Sequence, residues 1–139
     1  MDQYVIYNEK YHILICRQHG YAIPPDYVAR HFRETHKATP LAIRHAITEY
    51  ANSCKLSETN EVFMPQDDIS PIEGLTVITG VKCEYDGCSK LRGSVDSIIK
   101  HCQSAHGWIA ENGVKWRERD FQTFFRGPHC KYLSLKSIN

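Results

Sequence analysis

Cys83, Cys88, His101 and His106 follow one another in the pattern Cys-x4-Cys-x12-His-x4-His. This fits C2H2 zinc-finger spacing, in which two cysteines sit on a short turn and two histidines on a helix. The chemistry such a set performs is metal ligation: two thiolates from one side and two imidazoles from the other close a tetrahedral Zn²⁺ site. An earlier segment repeats the idea with one change. Cys16-x2-His19-x11-His31-x4-His36 places His19 where a second cysteine is usual. The resulting Cys-His₃ set is chemically sound, because neutral imidazole is a good zinc ligand. Fewer thiolates predict weaker and more pH-sensitive binding there, since each His must be neutral to ligate.

Each set supplies four ligands and leaves no position open for water, which a catalytic zinc requires. No His-Glu-x-x-His segment is present. Cys54, Cys130 and His129 have no neighbour in sequence that would activate a nucleophile. The expectation is therefore two structural Zn²⁺ ions and no enzyme. His129 with Cys130 is the one outside candidate for a further metal contact. Cys54 and Cys102 read as small core or surface residues, and His12 and His45 as ordinary polar ones.

The elements that must position these ligands can be read from patterning. Residues 4–15 read as a strand rich in Tyr, Val and Ile, and Cys16–Ile23 as a tight turn region. Pro24-Pro25-Asp26 opens a helix that runs through Tyr27, Val28, His31 and Phe32 to His36. Leu41–Ser53 is a second helix with Leu41, Ile43, Ala46, Ile47 and Tyr50 as its apolar stripe. Residues 54–74 read as a loop, Leu75–Val81 as a strand and Cys83–Gly87 as a turn. Ser94–His106 is a third helix capped by Gly93 or Ser94, with Leu91, Val95 and Ile98 as a small core. Asp120–Phe125 and Cys130–Leu135 read as strands around Arg126-Gly127-Pro128, a hairpin. The fold expected is α+β: a small domain with two embedded C2H2-like ββα zinc fingers, a connecting helix and a C-terminal β-hairpin. Residues 1–139 form one zinc-stabilised domain, with finger one at about 12–37, a connecting segment at 38–80, finger two at about 81–107 and aromatic strands at 108–139.

Composition narrows the function classes. Six Cys and eight His stand out in 139 residues. No signal peptide and no apolar run of membrane-spanning length is visible, which points to the nucleus or cytoplasm and to metal rather than disulfides. Lys and Arg total 17 against 16 acidic residues, a net charge of +1, less basic than many DNA-binding domains. The base-reading helix positions offer Ser94, Ser97 and Lys100 in finger two and Pro24, Tyr27 and Arg30 in finger one, a thin set for bidentate readout. Basic residues do recur near the helices. Arg30, Arg33, Lys90, Arg92, Lys100 and Arg117 are the candidates to grip phosphates without reading sequence; Arg119 and Arg126 belong to the same basic stretch. The aromatic run Trp108, Trp116, Phe121, Phe124, Phe125 and Tyr132 suits core packing better than base stacking.

The segments Leu14-Ile15-Cys16-Arg17-Gln18-His19-Gly20-Tyr21-Ala22-Ile23 and His31-Phe32-Arg33-Glu34-Thr35-His36 give the chain a resemblance to a known family. Pro71-Ile72-Glu73-Gly74-Leu75, Gly80-Val81-Lys82-Cys83, His101 to His106, and Gln122-Thr123-Phe124-Phe125-Arg126-Gly127 with Tyr132 extend it over about positions 12–135. The chain resembles the fungal two-zinc-finger domain family named after the orsellinic acid biosynthesis cluster protein D. The resemblance implies a fungal nuclear protein or a piece of one, with both fingers integrated in one domain. It also implies a module found within larger proteins, including helicase-like and mobile-element-related ones. His19 departs from that family's pattern, where many members look like Cys. The function expected is a zinc-finger module that binds nucleic acid, DNA first. The alternative is a zinc-stabilised protein-interaction or targeting module. Neither involves a membrane or a small-molecule substrate.

Overall fold

The computed structural model describes residues 2–88, 90–126 and 131–136. They form a small α+β chain with three α-helices and two antiparallel sheets. The chain divides into two compact units, each assembled from separated stretches. One takes Met1–Pro65, Ile72–Thr76 and Thr123–Lys131; the other takes Gln66–Pro71, Val77–Gln122 and Tyr132–Asn139.

In the first unit, the expected single strand over 4–15 is two strands, β1 (Val5–Asn8) and β2 (Ile13–Cys16). Two local features reverse the chain between them. The Asn8 side chain accepts a hydrogen bond from the Tyr11 amide three residues on at 2.9 Å, a local side-chain-to-backbone bond that competes with a continuous strand, and His12 takes a positive φ of 55°. β3 (Tyr21–Ile23) lies on the other side of β2, with Leu14 opposite Ile23 and Cys16 opposite Tyr21. All four residues of β2 are buried, as expected for a central strand covered on both faces.

A 3-10 turn at Pro25–Tyr27 leads into α1 (Val28–Glu34). The helix is shorter than the expected span to His36: Thr35 caps it, and His36 lies beyond its end. Pro40 then precedes α2 (Leu41–Ser53), which has the expected bounds. Ile47 and Ala51 of α2 are buried with Val5, Leu14, Cys16, Ile23, Val28 and Phe32 in one cluster. Ile43 and Tyr50 pack against that cluster, whereas Leu41, expected in the apolar stripe, is exposed. The reason is geometric: Leu41 lies about 120° around the helix from the buried Ile47, off the face that packs inward.

In the second unit, the expected strand at Leu75–Val81 is displaced to β4 (Ile78–Cys83). Around it stand β5 (Leu91–Arg92), β6 (Trp116–Thr123) and β7 (Tyr132–Ser134), in the order β5-β4-β6-β7. β6 begins at Trp116, earlier than the expected Asp120, and pairs with β4 from Ile78 opposite Phe121 to Cys83 opposite Trp116. Gly80 lets the Phe121 ring lie on β4: a Cβ there would fall 2.2 Å from Phe121 Cε1. The tip of the expected C-terminal hairpin, Gly127 to Cys130 with the candidate pair His129 and Cys130, lies outside the described residues.

α3 (Val95–His106) starts at Ser94, whose Oγ accepts from the Ser97 amide at 3.2 Å, an N-cap that satisfies one open donor. Its buried residues Ile98 and Cys102 pack on Val81 and Cys83, with Tyr85, Cys88, Trp108 and Trp116 around them. Leu91 is buried as expected, but Val95 is exposed: it shares the face of Ile98 and Cys102 but sits at the first position of the helix. The C-terminal aromatics serve the core: Phe121, Phe124 and Phe125 are buried, and Trp108 meets Trp116 edge to face at 5.1 Å. Among the described residues, no helix is long and apolar enough to cross a membrane.

Candidate metal centres

Cys16 ends β2, and the chain then turns so that the Gly20 amide donates to the Cys16 carbonyl at 2.8 Å. This turn brings His19 back toward the Cys16 thiol. Gly20 is required twice over. Its φ is +73°, and a Cβ would lie 1.9 Å from Thr76 Oγ1; only glycine takes that backbone freely and leaves that space. His31 comes from α1 and His36 from just past its end. Cys16 Sγ lies 3.5 Å from His19 Nδ1 and 3.4 Å from His36 Nε2, and His36 Nε2 lies 3.0 Å from His31 Nε2. In the second unit, Cys83 at the end of β4 and Cys88 after the turn face α3. Cys83 Sγ is 3.5 Å from His106 Nε2 and Cys88 Sγ is 3.3 Å from His101 Nε2. In each group the four ligand atoms lie within 4.8 Å of one another.

These distances can be held against a tetrahedral ion. Bonds of about 2.3 Å to sulfur and about 2.05 Å to nitrogen give edges of about 3.5 Å for S···N and about 3.3 Å for N···N. The S···N separations agree with that geometry, and the one short N···N pair is slightly compressed. Both groups could therefore hold a metal ion, and all eight residues expected as ligands are brought together in their two sets. Zn²⁺ is consistent with both donor sets.

The spacing of the histidines requires a local departure from the regular helix. Residues five apart on a regular helix are about 140° apart around its axis, so two His at that spacing do not share a face. The chain resolves this in two ways. In the first group the helix stops at Glu34, and His36 turns back on its own. In the second, the last turn widens: the Gly107 amide reaches the carbonyls of both Cys102 and Gln103, and the Trp108 amide reaches Cys102 at 3.1 Å. An i→i−5 bond underwinds the end of a helix and swings His106 toward His101.

The electrostatics prepare the imidazoles more than the thiols. Burial pushes His31 down to about 4, helped by the neighbouring His36 and His19. Burial and His19 lower His36 as well. Both rings are held neutral, the ligating form. Burial raises the Cys16 thiol, while the His19 and Gln18 amides that point at its sulfur oppose the rise. The Cys83 thiol is pushed up to about 11, first by burial and then by the adjacent Cys88 and Cys102. Ligation at either centre would therefore release thiol protons.

The basic residues expected at a nucleic-acid surface separate into two groups. Arg30 is bonded to Glu34 at 2.9 Å and lies over the Tyr27 ring, and Arg117 is bonded to Glu84 at 2.8 Å. Arg119 is buried and paired with Asp68, so it cannot reach a ligand; as a large cation on β6 it requires that carboxylate partner. Lys90, Arg92, Lys100 and Arg33 make no ion pair among the described residues. Arg92 and Lys90 lie close enough to the His101 ring to depress its pKa, after burial as the first cause. Cys102, read as an ordinary core residue, lies beside the second group: its Sγ is 4.0 Å from Cys83 Sγ. Its position four residues before His106 was the available sequence signal.

A small α+β chain built around two four-residue Cys/His groups is, by class, a protein whose fold carries two candidate metal centres. The chain belongs to the family described as Orsellinic acid/F9775 biosynthesis cluster protein D, whose model matches residues 3–107. It is 33% identical over 129 residues to the protein of that name from Emericella nidulans, across 93% of this chain and 25% of that protein. The chain thus spans about a quarter of that relative's length. No solved structure matches it significantly.

Proposed function

We propose that the chain is a non-enzymatic zinc-finger module that holds two structural Zn²⁺ ions and binds duplex DNA in the nucleus through phosphate contacts. The finger reading is supported by order along the chain. The first ligand set lies along the stretch β2, β3 and α1, and the second along β4, β5 and α3, each a ββα run. The observation that carries the DNA reading is the group formed by Lys90, Arg92 and Lys100. Lys90 and Arg92 flank the second centre closely enough to act on His101, Lys100 precedes that residue on α3, and none has a carboxylate partner among the described residues. Unpaired cations beside a helix suit phosphate binding without base readout. The test is binding of the zinc-loaded chain to random duplex DNA across salt concentrations. Each phosphate contact contributes about 0.9 to the log–log salt slope, so replacing all three residues by Ala should flatten it by about 2.7. A slope unchanged by the triple substitution would refute the assignment.

A second reading, a protein-interaction module, has its own observation. Val77, Ile78 and Tyr132 are exposed, Ile78 pairs with Phe121 across the sheet, and the Tyr132 ring lies 4.6 Å from that of Phe121. An exposed apolar group of this kind suits a protein partner. Absence of DNA binding at low salt would favour it.

A further inference from the structure

Cys102 is a third thiol beside the second centre: it is outside the four ligand atoms that converge there, but its Sγ touches that of Cys83. On α3 it precedes His106 by four residues, about 40° apart around a regular helix, whereas His101 and His106 are about 140° apart. By helix geometry alone Cys102, not His101, shares a face with His106. Its side chain is fully buried against β4. Its Sγ lies 4.0 Å from Cys83 Sγ, which in turn lies 3.5 Å from His106 Nε2. Two thiolates on one tetrahedral zinc are about 3.8 Å apart, so the Cys83–Cys102 separation already approaches that of co-ligands. Along the chain Cys83-x4-Cys88-x13-Cys102-x3-His106 is a second four-ligand pattern laid over the first.

We propose that the second centre has two interchangeable ligand sets, with Cys102 able to replace His101 so that the metal is held by Cys83, Cys88, Cys102 and His106. The inference rests on the reading that this group holds a metal. Its chemical consequence is a choice set by the ion. A borderline ion such as Zn²⁺ accepts two thiolates and two imidazoles, while a softer, thiophilic ion draws the third thiolate. His101 would then be released beside Arg92 and Lys90.

The test loads the full chain with Cd²⁺ and reads cadmium NMR, whose shift reports the number of thiolates and resolves the two centres. The second-centre resonance should move from a three-thiolate to a two-thiolate position on Cys102→Ser. Identical resonances in the two proteins would overturn the proposal. Independently, His101→Ala should keep its second ion, and His101→Ala/Cys102→Ser should lose it. Retention in the double variant to the same extent as in the single one would also overturn the proposal. If His101→Ala does not fold, the cadmium comparison, made on the natural chain and Cys102→Ser, still decides. Failure of the unaltered chain to take up any ion at the second centre is a separate result. It would remove the underlying metal reading, and the ligand exchange with it.

Discussion

Stripping the metal should unfold α3 while much of the first unit survives, and the magnitudes follow from what each helix rests on. α3 has 12 residues, and ordering them costs about 12–24 kcal/mol at about 1–2 kcal/mol per residue. The cluster beneath it contains two aliphatic side chains, Val81 and Ile98, beside the cysteines Cys83 and Cys102. Burying those two returns only about 3–6 kcal/mol. A structural zinc supplies about 10–16 kcal/mol, the same scale as the remaining difference of about 6–21 kcal/mol. The first unit differs: β2 is buried throughout, and Leu14, Ile23, Val28, Phe32 and Ile47 pack together independently of any ion. The assay is residue-resolved hydrogen exchange on the zinc-loaded chain, with and without a strong chelator. Amides of Ile98 to His106 should lose essentially all protection on chelation. Those of β2 and α2 should keep most of theirs. Equal protection of α3 with and without chelator would show that packing, not metal, holds the helix, and the reasoning above would fail.

Acid should act on the metal-free first unit through His31. Its pKa is lowered from the ordinary 6.5 to about 4, so the unfolded chain binds the proton first. Stability is intact above about pH 6.5 and falls as pH drops toward 4, by up to about 3 kcal/mol; denaturant melts of chelated protein at stepped pH measure it, and a flat profile would contradict the buried neutral ring. Gly20→Ala should destabilise the first unit by about 1–3 kcal/mol, through the left-handed backbone and the collision with Thr76, and should weaken the first metal by displacing His19. Urea melts and metal titration would check both effects, and an unchanged titration would disconnect that turn from the site.

The eight candidate ligands were legible because Cys and His are rare, chemically distinctive residues and a tetrahedral ion would constrain their spacing. α2 was legible through Pro40 and its apolar repeat, and the start of α3 through Ser94. What escaped the sequence depended on partners distant along the chain or on single backbone angles. The reversal at Asn8 to His12 hangs on one side-chain hydrogen bond and one positive φ, inside a stretch whose composition suits a continuous strand. The onset of β4 is set by pairing with β6, more than 40 residues away, as in Ile78 opposite Phe121. Arg119 looked like a surface cation because the sequence does not reveal that Asp68 waits beside it.

Cys102 was hidden for a different reason. The C2H2 pattern was already complete without it, so nothing prompted a second parsing of the same helix. The two centres then divide in a way that thiolate count alone explains. With a divalent ion, one thiolate and three imidazoles leave a net charge of +1 at the first centre, while two thiolates and two imidazoles leave none at the second. A third thiolate at the second centre would carry it to −1, beside Lys90 and Arg92. Those cations would then serve the ligand exchange as well as phosphate binding, since they stabilise the thiolate-rich form. If the chain binds DNA through these cations and Cys102 ligates as proposed, the two roles compete: phosphates drawn to Lys90 and Arg92 would disfavour the extra thiolate. DNA binding and the Cys102-bound state would then weaken each other, a coupling that is reciprocal by linkage.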